Sequence, residues 1–99
     1  MAVVRVTISQ LLATDIALDK LGARGISAGE VRQLIGNDHV VAGNPHGGGQ
    51  SDTRRLLFGV TDGGRALTIV VERTVDPTTW LIVTGWNSTA VERNVLGRR

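Results

Sequence analysis

The sequence predicts an α+β domain: two N-terminal helices packed on one face of a three- to four-stranded antiparallel sheet, followed by a short C-terminal helix. Three observations carry this expectation. Three β-rich segments, 54–60, 65–73 and 80–86, are separated by the turn sequences Thr61-Asp62-Gly63-Gly64 and Val75-Asp76-Pro77-Thr78. Before residue 38, apolar residues recur near helical spacing in two short stretches. After the last β-rich segment, Thr89-Ala90-Val91-Glu92 has the spacing of a capping box.

Residues 3–8 are β-branched and read as a short strand or an extended lead-in. Ser9 is a candidate N-cap for a first helix carrying Leu11, Leu12, Ile16, Ala17, Leu18 and Leu21, with Gly22 as its stop. Ser27-Ala28-Gly29-Glu30 opens a second helix, with Ile26 as a hydrophobic staple and Val31, Leu34 and Ile35 as its apolar stripe. Gly36-Asn37-Asp38 ends it. His39–Ala42 is the first sheet strand, and residues 44–52, with three consecutive glycines, are a loop. Asp62-Gly63-Gly64 between two β-rich runs predicts a hairpin. Alternation along residues 80–86 places Trp80, Ile82, Thr84 and Trp86 on one face of the last strand. Asn87-Ser88 breaks that strand, a helix follows through Leu96, and Gly97-Arg98-Arg99 is a tail.

Ninety-nine residues make one domain with one modest core. No apolar run approaches the roughly 20 residues that cross a bilayer, and the first residues lack a secretory pattern, so a cytoplasmic protein is expected. The chain has no cysteine, which removes disulfides, thiolate chemistry and the usual structural zinc sites. Two histidines without ligand spacing point away from a metal centre, and no cofactor is implied. The net charge of +2 is uneven: residues 1–53 sum to −1 and residues 54–99 to +3. Ten of the eleven basic residues are arginine, whose planar fork matches phosphate and carboxylate; GC-rich coding accounts for the same bias. The imbalance points to an anionic partner.

Three stretches resemble the BrnT-like toxins of the RelE-like superfamily. They are Arg24-Gly25-Ile26-Ser27 with Glu30-Val31, the hairpin 55–71, and the strand-to-helix run 83–93 with its Glu92-Arg93 pair. The resemblance spans residues 25–96. It implies a component of a type II toxin–antitoxin system, held by a cognate antitoxin and cleaving mRNA as a metal-independent endoribonuclease. In that family basic residues commonly follow the last strand, where this chain has Trp86 and Asn87. The alternative is therefore a non-catalytic RelE-like module that binds a partner protein or nucleic acid. A small homodimerising domain is a third reading.

Metal-free RNA cleavage needs a group that removes the 2′-OH proton and groups that stabilise the charged phosphorane. Arginine serves the second role through bidentate contacts. The candidate catalytic residues are Arg55, Arg65, Arg73, Glu72 and His46, and the candidate RNA-binding residues are Arg54, Trp86, Asn87 and Arg93. Each has a structural reading as well. The arginines are strand-end or helix residues, Glu72 is a cross-strand partner for an arginine, and Glu92 is a capping residue. His46 is a solvated loop residue, and Trp80 and Trp86 are core residues. The functional reading requires the guanidinium groups to converge on one side of the sheet.

Overall fold

The structure, a computed structural model, describes residues 3–4, 6–43 and 53–97. Within them the order is β1 (Val3–Val4), β2 (Gln10–Ala13), α1 (Asp15–Gly22), α2 (Ala28–Gly36), β3 (His39–Gly43), β4 (Arg54–Val60), β5 (Ala66–Arg73), β6 (Thr79–Asn87) and α3 (Ala90–Gly97). The α+β class holds. The sheet is larger than expected and mixed, with six strands in the order β1-β3-β4-β5-β6-β2. Strands β3 to β6 form an antiparallel meander, β1 joins β3 antiparallel, and β2 joins β6 in parallel.

The extra strands come from the N-terminal segment. Leu11 and Leu12, expected in the first helix, pair instead with Trp80 and Leu81 of β6. Just before them, the Ser9 and Gln10 N–H groups both donate to the Thr78 carbonyl, at 2.8 and 3.3 Å. Ser9 is therefore not the cap. Thr14 is, its Oγ1 accepting from the Ala17 N–H at 3.1 Å. A short apolar run fits strand or helix equally well by periodicity, and here pairing to β6 decides.

The topology also requires a curled sheet. Val4 lies in one edge strand and Gln10 in the other. Six residues reach about 20 Å when extended. Six flat strands would hold the edges about 24 Å apart. The chain crosses between them only because the edges bend toward each other, and Ile8 is buried in the core along the way.

Each face carries its own apolar layer. Val41, Leu57, Ile69, Val71, Trp80 and Ile82 meet Ala17 and Leu21 of α1 and Val31 and Leu34 of α2. On the opposite face Ala42, Leu56, Phe58 and Val70 pack with Val83, Trp86 and Val95 of α3. The helices thus occupy both faces, not one, because the turn after β6 carries the chain to the side opposite α1 and α2.

Two glycines set how closely the first layer packs. A Cβ on Gly85 would collide with Ile69 Cδ1 and stand 3.1 Å from Leu21 Cδ2. One on Gly59 would lie 3.1 Å from Leu34 Cβ. Both helices rest on positions without a side chain.

A bulge changes the phase of β6. Val70 pairs with Thr84 but Val71 pairs with Ile82, leaving Val83 as the additional residue. Trp80 and Ile82 therefore lie in the α1/α2 layer, whereas Trp86 lies in the α3 layer. The expected alternation, with both tryptophans on one face, fails at this bulge.

Candidate nucleic-acid interface

The arginines of the hairpin are sorted by strand alternation and by distance along it. Arg54 and Glu72 are directly opposed on β4 and β5. Arg54 Nε donates to Glu72 Oε1 at 3.1 Å, which makes Glu72 the cross-strand partner of an arginine. Arg55 and Arg73 project from the other face. Arg55 opposes Val71, so Arg73 is its diagonal neighbour, within reach of two long side chains. The Arg55 side chain is partly buried and its Nη1 donates to the Arg54 carbonyl at 2.8 Å. Arg73 is exposed, and its backbone N–H bonds the Thr53 carbonyl at 2.7 Å.

Arg65 is elsewhere. It follows the hairpin turn, which Gly64 closes with φ +87°. That end of β4 is about 20 Å from Arg54 by strand rise. Its guanidinium is consumed by structure: Nε donates to Asn87 Oδ1 at 2.7 Å, Nη1 to the Gly25 carbonyl at 2.8 Å and Nη2 to the Arg24 carbonyl at 3.2 Å. Nη1 also reaches Glu30 Oε2 at 3.2 Å. The result is a clamp between the hairpin, the end of β6 and the turn joining α1 to α2. Asn87, expected to touch RNA, is one jaw of it.

Arg93 and Trp86 belong to the anchorage of α3. Arg93 Nη1 donates to the Ser88 carbonyl at 2.9 Å. Trp86 Nε1 donates to both Glu92 carboxylate oxygens, at 3.0 and 3.2 Å. Glu92 Oε1 also accepts from the Thr89 N–H at 2.8 Å, and Thr89 Oγ1 accepts from the Glu92 N–H at 3.2 Å, so the expected capping box is formed. Burial raises the Glu92 pKa, but bonds from the Thr89 N–H, Trp86, Thr68 and the Thr89 hydroxyl outweigh it and leave the carboxyl below its ordinary value. Trp86 is half-buried, with its indole N–H occupied inside the fold.

The expected convergence is thus not what the fold produces. Arg55 and Arg73 share one face at one end of the hairpin. Arg54 lies on the opposite face, while Arg65 and Arg93 lie at the far end of the hairpin in internal bonds. Glu72 faces away from Arg73, since adjacent strand residues alternate, and is held by Arg54. His46 lies outside the described residues. Among the described residues no group of three or more His, Asp or Glu side chains is placed to hold a metal ion, and no helix is long and apolar enough to cross a membrane.

Two features leave no signal in the sequence. Lys20 of α1 shares a small groove of about 190 Å³ with Arg54, Glu72 and Ile16. The Trp86–Glu92 bond carried no separate signal, because the capping box alone accounts for Glu92. Compared with family models, with curated proteins and with solved structures, the chain matches none of them.

Proposed function

We propose that this chain is a toxin-like component of a type II toxin–antitoxin pair that engages mRNA with the Arg55–Arg73 end of its sheet. The observation that carries the reading is that Arg55 and Arg73 are diagonal neighbours on one face at one end of the hairpin, with Arg73 exposed. The exposed Arg73 fork suits a phosphate, and in a metal-independent cleavage it would stabilise the charge that develops on phosphorus-bound oxygen, with the Arg55 charge beside it in register. A cognate antitoxin would cover this end. Incubation of the pure protein with RNA, without added metal, tests the reading. Cleavage that disappears in the R55A/R73A double variant supports it, and equal cleavage by parent and variant refutes the site.

One observation favours a second reading, a non-catalytic module that binds nucleic acid or a partner protein. Arg54, Arg55, Arg65, Arg93 and Glu72 are all engaged in internal bonds, which leaves Arg73 as the exposed arginine of the hairpin. RNA retention without strand scission by the parent would select this reading over the enzyme.

A further inference from the structure

The three helices are attached to the sheet very unequally. α1 inserts Ala17 and Leu21, and α2 inserts Val31 and Leu34, each at most 1% exposed. α3 has no buried residue. Its apolar contact comes from partly buried Val95, and Val91 is 70% exposed. Beside Val95 the C-terminal end of the helix borders open space. An open groove of about 770 Å³ runs between Leu96 and Gly97 on one side and the turns at Asn37 and Asp62 on the other, with Arg93 in its wall.

What holds α3 is a set of polar bonds in its first turn. Glu92 accepts from the Trp86 indole and from the Thr89 N–H. Arg93 donates to the Ser88 carbonyl. Ser88 itself is fixed, since its N–H bonds the Ala66 carbonyl at 3.0 Å and its hydroxyl shares a buried 2.8 Å hydrogen bond with Thr68. The rigid sheet therefore ends at Ser88, and α3 begins one residue after Thr89's hinge-like N-cap position.

We propose that α3 is a hinged strap that opens from the sheet as a unit while the rest of the domain stays folded, with the Trp86–Glu92 bond as its catch. Opening uncovers the apolar layer of Leu56, Phe58 and Val70, which α3 and Trp86 otherwise shield. An eight-residue helix released into water has too few turns to stay formed, so opening and melting occur together. The local free energy of this step lies well below that of global unfolding, because few apolar contacts are broken.

Amide hydrogen exchange on the full chain tests the strap. In the parent, the Asn94, Val95 and Leu96 amides should exchange at least about tenfold faster than those of Leu57 and Ile69. The W86F variant removes the catch but keeps the Thr89–Glu92 capping box, and should accelerate the α3 amides about tenfold further, by a larger factor than any change in β4 and β5, against which the ring also packs. E92Q, which keeps a capping-competent side chain but removes the charge, is the second variant and should act in the same direction. Equal protection of α3 and β5 in the parent overturns the proposal, whatever the variants do. So does acceleration of α3 and the sheet by the same factor in every variant that folds.

Discussion

Arg65 and Glu30 are 35 residues apart in the chain, and the guanidinium meets the carboxylate at 3.2 Å. Glu30 already serves the N-terminus of α2, since its Oε1 accepts from the Ser27 N–H at 3.1 Å and its own N–H donates back to Ser27 Oγ at 3.1 Å. One carboxylate therefore closes the capping box and receives the hairpin. The carbonyls of Arg24 and Gly25, freed where α1 ends, are satisfied by the same arginine. Gly25, at φ +69°, turns the chain so that those carbonyls face it.

Replacement of Arg65 should accordingly read as a stability defect. R65A is expected to lower unfolding stability by about 1–3 kcal/mol, the loss of bonds to a charged group moderated by partial exposure. R65K, a point charge without the fork, should recover only part. Urea denaturation measures both, and an R65A midpoint equal to the parent's would remove the clamp from the account.

Arg73 should behave in the opposite way. It is exposed and outside the clamp, so R73A should leave the urea midpoint unchanged. If RNA lies across this end, R73A weakens binding and lowers the slope of log affinity against log salt by about 0.7 for each phosphate it no longer neutralises. Titration of a labelled single strand at several salt concentrations checks this, and an unchanged slope argues against a phosphate at Arg73.

Among the described glycines, Gly85 has the least room for a side chain. G85A places a methyl against Ile69 and Leu21, and should destabilise the domain by roughly 1–3 kcal/mol through overpacking. G59A, whose nearest neighbour is Leu34 Cβ at 3.1 Å, should cost less because it meets no direct collision. Thermal unfolding of the two variants gives the order, and G59A proving the worse of the two would count against this packing account.

Acid should weaken the fold through specific carboxylates. Glu30 is held below its ordinary value of 4.5, first by the Ser27 N–H and then by Arg65. Asp76 is lowered by the Thr78 N–H and hydroxyl in the β5–β6 turn, and Glu92 is lowered despite its burial. A carboxyl with a depressed folded pKa contributes stability that is fully present above its unfolded value and is lost as pH falls through the folded one. Stability from these groups should be flat near neutrality and decline below about pH 4.5. The E30Q variant should show a shallower decline in melting temperature over that range; a profile parallel to the parent's would exclude Glu30 as a contributor.

Much of the scaffold was legible in the residues themselves. Ser27 and Glu30, Thr89 and Glu92, and the turn at Asp62 to Gly64 are local devices whose partners lie within three or four residues, and each forms as its spacing predicts. Glu72 as partner to an arginine followed from simple hairpin register. What misled was non-local. Leu11 and Leu12 have helical spacing with Ile16, but the exposed edge of β6 takes them as a strand. Trp86 follows Trp80 by an even number of residues, yet one extra residue at Val83 sends the two indoles to opposite layers.

By itself, then, the sequence determined the caps of α2 and α3, the turns and the meander, because these depend on chain neighbours and on a two-residue period. Only the tertiary structure decided what each guanidinium group does. Arg54, Arg65 and Arg93 look equivalent to Arg73 in the chain, and differ only in what the curled sheet brings within hydrogen-bonding distance of them. Acceptors at Glu72, at Gly25 and Glu30, and at Ser88 come from 5 to 40 residues away. A fixed donor fork bonds whatever acceptor the fold presents, so for these residues long-range geometry, and not residue type, separates scaffold from surface.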